Sequence, residues 1–187
     1  MIHKTAEVEE GAIIGNNTNV WHFAHVRKGA NIGKNCVLAK GVFVDQYVKI
    51  GNNVKIGNNV SVFHGVEIEE GVQIAPHVCF TNDKLPRAIN PDGSLKGAKD
   101  WVLGKTTVKK GASIGANSTI LTNLTIGEFA LIGAGSVVTK DVPSYGLVYG
   151  VPAKLNGYVC KCGKKLGDIN LKGKVKCNSC NSEIEIK

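Results

Sequence analysis

The chain has 187 residues, 43% hydrophobic, 20% charged and only 6% aromatic, with 23 glycines, which is the composition of one sizeable globular domain with room for a small appendage. Its formal net charge of +8 points to a surface that attracts anions, whether for solubility, polyphosphate ligands or nucleic acid. No apolar run approaches the ~18 residues of a membrane span, and the opening MIHKTAEVEEGA has no apolar signal core. The expectation is a soluble cytoplasmic protein whose six cysteines are reduced, metal-bound or catalytic.

From the N-terminus an aliphatic residue returns at every sixth position, from Ile2, Val8, Ile14 and Val20 through to Ile68 and Ile74. At about 100° per residue a helix would rotate each such residue ~240° from the last, whereas any even spacing keeps one face of a strand. A continuous strand is excluded by the position two residues on, which is polar or proline throughout: Glu10, Asn16, His22, Lys28 and so on to Glu70 and Pro76. The chain must turn there. The next position supplies the turn, with Gly11, Asn17, Gly29, Asn35, Gly41, Asn53, Asn59, Gly65 and Gly71, interrupted by Phe23, Tyr47 and His77. Four residues after each rung a small or β-branched side chain (Ala12, Thr18, Ala24, Ala30, Cys36, then Val42 to Val78) provides a second inward position. Short strands and corners repeated in this way predict an all-β solenoid with a narrow continuous core.

The ladder stops at Phe80, and residues 81–101 read as a polar loop carrying Asn82, Asp83, Lys84, Arg87 and Lys96. The periodicity predicts that the stack resumes at Val102, in a shifted register, and runs through Val108 and Ile114 to Val138. A solenoid core has no pocket of its own, so a long excursion from it reads as functional.

The six-residue ladder resembles the hexapeptide repeat of the left-handed parallel β-helix, over residues 2 to about 142. That resemblance implies three hexapeptides per triangular coil, a left hand and a homotrimer. Three functions compete on such a scaffold: CoA-dependent acyl transfer, a carbonic-anhydrase-like zinc site and a purely structural role. The zinc enzyme needs three converging histidines. The chain has His3, His22, His25, His64 and His77, without the pair five residues apart that this class shares. A structural spacer does not account for the interruption.

The segments GASIGANSTIL (111–121), IGAGSVVTKDVP (132–143) and YGVPAK (149–154) resemble the last coils of sugar acetyltransferases that use acetyl-CoA. The resemblance implies that Ala116 and Ala134 border the pantetheine arm, with Pro152 and Lys154 near the nucleotide end and Lys140 as a further cation for the phosphates. FTNDKLPRA (80–88), with VWHFAHV (20–26) and NNVSVFHGVEIEEGV (58–72), is similar to the nucleotide-sugar 3-N-acetyltransferases, although Ala75 stands where they usually have Gly. The group that acetylates UDP-2-acetamido-3-amino-2,3-dideoxyglucuronate, for surface polysaccharides, matches best. The alternative is the group acting on dTDP-3-amino-3,6-dideoxyhexoses. By that resemblance Asn82, Asp83 and Glu69 are the catalytic candidates, with His25, Lys84 and Arg87 binding the sugar. Arg87 suits a carboxylate or diphosphate. No acyl-enzyme is required, since Cys36 sits at an inward position.

After YGVPAK the repeat is gone, and residues 158–187 read as a second module. Cys160, Cys162, Cys177 and Cys180 form a C-x-C and a C-x-x-C pair, which suits a structural tetrahedral zinc in a ribbon-like cap, with disulfides and free thiols as the alternatives. One aromatic residue, Tyr158, is too few for base stacking, so no nucleic acid is expected. The remaining residues, 1–157, make up the solenoid domain.

Overall fold

The computed structural model describes residues 1–186. Two-residue strands alternate with corners around a three-sided parallel β-solenoid, and no helix occurs among the described residues. The first face holds seven strands, from Glu7–Val8 to Val137–Val138. The second holds six, from Ile13–Ile14 to Thr125–Ile126. The third begins at Asn19–Val20 and grows to nine because the C-terminal strands extend it. Every third strand pairs in register, as in Glu7 with His25 and Ile13 with Asn31, so each coil takes eighteen residues.

The core is one side chain wide. Val20, Val26, Leu38, Val44, Val62 and Ile74 are fully buried along the rung positions, and Val42, Val48, Val54 and Val60 at the second inward position. Each loses roughly 1.5–3 kcal/mol of hydration penalty on burial. The corners follow from the same rows of residues. All twelve predicted turn positions, Gly11 to His77, adopt positive φ, including Phe23 (+57°), Tyr47 (+58°) and His77 (+62°). Bulky residues are rare in this conformation. Here a glycine one coil below makes room: a Cβ on Gly29 would lie 2.6 Å from the Tyr47 ring, and one on Gly111 2.3 Å from the Phe129 ring.

The interruption is longer than the sequence suggests. Glu67 pairs with Lys49, eighteen residues before it, and with Thr107, forty after it, so twenty-two extra residues leave the coil. Val102 is not a rung: it is 85% exposed, and the stack resumes at the strand Thr106–Val108. The hydrophobic period at Val102 is coincidental, because Gly104 must pair back to the loop's entry before the coil can continue.

The strand Ala153–Val159 doubles back antiparallel on Gly146–Gly150 and runs across the boundary at residue 157. Lys165–Gly167 pairs with it, which extends the third face into the tail. A separate hairpin joins Gly173–Lys176 to Glu183–Ile186. Tyr158, Cys160, Cys177, Ile184 and Ile186 form a second, small core.

Candidate active site

The excursion leaves the edge between the first and second faces, just after the strand Cys79–Phe80. Its base is shut by the Gly104 amide, which donates to the Asn82 carbonyl at 2.8 Å. Asp83 then turns the chain, since its Oδ1 accepts from the Leu85 amide at 2.8 Å. A tight turn at Asn90–Gly93 follows, with Ile89 bridged antiparallel to Leu95 and the Lys96 amide donating to the Ala88 carbonyl at 3.0 Å. A second turn is fixed by Asp100, whose Oδ2 accepts from the Gly97 amide at 2.7 Å and whose carboxyl is held below the ordinary range chiefly by that bond. The two turns fold the loop around a cavity of about 440 Å³ lined by Asn82, Asp83, Arg87, Lys96 and Trp101, with Ala88, Gly97 and Ala98 between them.

The structure therefore gathers Asn82, Asp83 and Arg87, while Lys84 is exposed and does not line the cavity. Nothing in the sequence marks Trp101 as a site residue, and Lys96 reads there only as a loop residue; the turn-forming residues 90–93 are the available signal that the far limb folds back. Leu85, Leu95 and Val102 project from the loop, 77%, 82% and 85% exposed.

Glu69 and His25 lie elsewhere. Glu69 occupies the next edge, between the second and third faces. Its Oε1 accepts from Lys109 Nζ at 2.8 Å and its Oε2 from the Lys110 amide at 2.9 Å. The Lys109 bond leads in holding its carboxyl below the usual range. His25 is on the first face, three strands before Cys79–Phe80 and thus roughly 14 Å away at the usual strand spacing. Its Nε2 meets Glu9 at 2.9 Å, and Arg27 links Glu9 to Asp45. The other histidines are dispersed: His22 and His77 stand on the third–first edge in different coils, His64 on the first–second edge, and His3 stacks on His22.

Ala116 and Ala134 stack on the edge between the third and first faces, joined by the Gly135 amide donating to the Ala116 carbonyl at 2.8 Å. Ser136 holds the turn above them, its Oγ accepting from the Gly150 amide at 3.3 Å. That turn carries the cis Val151–Pro152 bond. Pro152 and Lys154 line a cavity of about 290 Å³ together with Lys140, beside Val138, Val142 and Val148 of the last coil. The loop edge and the alanine edge thus bound the same face, one hexapeptide apart, at most about 20 Å even if fully extended.

In the tail the four Sγ atoms of Cys160, Cys162, Cys177 and Cys180 lie within 4.8 Å of one another. Two pairs stand at 3.4 Å and 3.8 Å, too long for disulfides. Tetrahedral zinc with bonds of about 2.3 Å sets sulfurs ~3.8 Å apart, so the cluster fits that ion. Burial pushes the Cys160 thiol up to about 12, whereas the Ser182 hydroxyl leads in bringing Cys180 down to about 6.

A three-sided solenoid of hexapeptides with one loop folded over a polar cavity is the architecture of a repeat-built transferase. The model of the bacterial transferase hexapeptide family (six repeats) matches residues 2–46, 47–82 and 105–140, and the chain belongs to that family. It is 45% identical, over 176 residues, to the dTDP-3-amino-3,6-dideoxy-alpha-D-galactopyranose 3-N-acetyltransferase of Aneurinibacillus thermoaerophilus, covering 94% of this chain and 87% of the relative. That relationship places it among the acetyl-CoA-dependent N-acetyltransferases. The fold is shared with a variant of AntD, an N-acyltransferase from Bacillus cereus in complex with dTDP and coenzyme A. The two are 22% identical with a TM-score of 0.55, over 85% of this chain and 80% of the other. It is shared too with the acetyltransferase domain of PglB from Neisseria gonorrhoeae, at 21% identity and a TM-score of 0.52. That match covers 83% of this chain but spans only 56% of the other.

Proposed function

We propose that the chain transfers the acetyl group of acetyl-CoA to the 3-amino group of a nucleotide-linked 3-amino sugar. The loop cavity that unites Asn82, Asp83 and Arg87 carries this reading. Its size, about 440 Å³, suits one sugar ring with part of its diphosphate. Two acceptors are supported. The relative from A. thermoaerophilus favours a dTDP-3-amino-3,6-dideoxyhexose. The cationic lining favours UDP-2-acetamido-3-amino-2,3-dideoxyuronic acid, whose carboxylate the deoxyhexose lacks.

The chemistry needs little beyond positioning. Asn82 Oδ1 accepts a hydrogen bond from the neutral amine, and the Asp83 oxygen not used by Leu85 accepts a second, so the nitrogen lone pair faces the thioester. The new N–C bond forms as the C–S bond breaks, and the amine proton passes to the departing CoA sulfur. CoA lies along Ala116 and Ala134, where the corner backbone offers bonds to the pantetheine amides, with Lys140 and Lys154 toward its phosphates.

One chain holds the loop and the alanine edge on opposite sides of a face, so the site is completed by a second copy. A cyclic homotrimer sets the loop of one subunit against the alanine edge of the next, and the exposed Leu85, Leu95 and Val102 supply apolar contact. The four tail thiolates hold a structural zinc, which cross-links the Cys160–Cys162 limb to the Cys177–Cys180 limb of the cap. The protein acts in the cytoplasm, where both co-substrates are made. Incubation with acetyl-CoA and each acceptor, followed by mass spectrometry for acetyl gain, tests the reading. Transfer to neither acceptor would defeat it.

A further inference from the structure

Arg87 and Lys96 come from different limbs of the excursion, yet both line its cavity. The Lys96 amide is tied to the Ala88 carbonyl, so the residue is fixed beside Arg87 and not left on a free strand. The ion pairs among the described residues take their cations from His25, Arg27, Lys109 and Lys110, so neither loop cation is neutralised in this way. Among the described residues the Arg87 side chain donates only to the neighbouring Pro86 carbonyl, at 3.0 Å. The one lining carboxylate, Asp83, has one oxygen committed to the Leu85 amide, and Asp100, outside the lining, is committed to the Gly97 amide and feels the charge of Lys96 without pairing with it. Trp101 adds a half-buried aromatic face to the same wall. Two cations outside those ion pairs, beside an indole, match a ligand that carries an anionic oxygen group on a ring with an apolar face.

We propose that Lys96 and Trp101, with Arg87, form the acceptor-selecting subsite, the cations holding an anionic oxygen group of the amino sugar while Trp101 covers its ring. This rests on the acceptor reading above and deepens it. The anionic group is either the carboxylate of a uronic acid or the diphosphate common to both acceptors. Lys96 selects the acceptor in the first case and anchors any nucleotide sugar in the second.

The test is calorimetric binding to the 187-residue chain, saturated with CoA, of three ligands: the UDP-amino-uronate, the dTDP-amino-deoxyhexose and inorganic pyrophosphate. The variants are Lys96→Met, which keeps the stem and removes the charge, and Lys99→Met, an exposed loop lysine outside the cavity lining. Loss of one charge-assisted contact is expected to weaken binding about tenfold or more in Lys96→Met, with Lys99→Met like the parent. Weakening for the uronate alone identifies the carboxylate; weakening for both sugars identifies the diphosphate. Equal binding of both sugars by Lys96→Met and the parent overturns the subsite, as does an equal loss in Lys99→Met. Should the parent bind neither sugar, the acceptor reading fails; pyrophosphate still decides, since binding lost in Lys96→Met sustains the subsite and binding that is absent or unchanged overturns it. The two tryptophans, Trp21 and Trp101, allow an independent readout. Ligand should quench emission in Trp21→Phe but not in Trp101→Phe, and the reverse result contradicts the role of Trp101.

Discussion

The Asn82 carbonyl and the Gly104 amide meet at 2.8 Å, so the loop leaves the solenoid and returns to it through one closed base. Gly104 has no room for a side chain: an added Cβ would fall 1.7 Å from Thr122 Oγ1 and 2.7 Å from its Cβ. Gly104→Ala must therefore push the base away from the next coil, which carries Thr122. A cost of about 1–3 kcal/mol is expected from the overpacking, together with a raised KM for the amino sugar and little change in KM for acetyl-CoA. Thermal melts and steady-state kinetics on the same preparation check this.

Asn82 contributes its backbone to the base and its side chain to the cavity. Asn82→Ala leaves the backbone bond in place, so the melting temperature should hold while kcat falls by roughly 100-fold, the usual scale for losing one group that orients the reacting atoms. An unchanged kcat would remove Asn82 from the mechanism.

Glu69 has both carboxylate oxygens bound, to Lys109 and to the Lys110 amide, which fits a clamp across the second–third edge. Glu69→Gln should retain most of kcat and lose under about 1 kcal/mol of stability, because the pair is half-exposed. A fall in kcat with no change in melting would instead give Glu69 an orienting role. The sign of its pH dependence follows from its depressed pKa. Its stabilisation is fully present above the unfolded carboxyl value, about 4.3, and is lost as pH falls through the lower folded value. Melts of parent and variant should thus differ at pH 7 and converge at strongly acid pH.

In the tail, elemental analysis should find one zinc per chain. Cys160→Ser, at a buried position of the cluster, should abolish that zinc and lower the melting temperature. Full stability without metal would make the four thiols an unligated cluster.

How much of this the sequence reveals depends on the range of the contacts. The rungs and corners repeat locally, so the core from Val20 to Val138 and even the unusual turns at Phe23 and Tyr47 are legible from spacing alone. Val102 misleads because its spacing to Val108 is that of a rung, while the Asn82–Gly104 bond, between residues far apart in the chain, decides where the coil restarts. The same holds for the site. Asn82, Asp83 and Arg87 are adjacent in a motif, whereas Lys96 and Trp101 join them only through the turns at Asn90–Gly93 and Asp100. Glu69 lies close to Asn82 in sequence, but three-sided coiling carries it to another edge.

The most direct measurement is acetyl transfer by the purified chain from acetyl-CoA to the UDP-amino-uronate and the dTDP-amino-deoxyhexose, read by mass spectrometry, with Asn82→Ala in parallel. Acetylation of at least one acceptor, lost in the variant, is the predicted result. Transfer to neither by a protein that binds CoA, or equal transfer by parent and variant, would contradict the assignment of the loop cavity as the amine site.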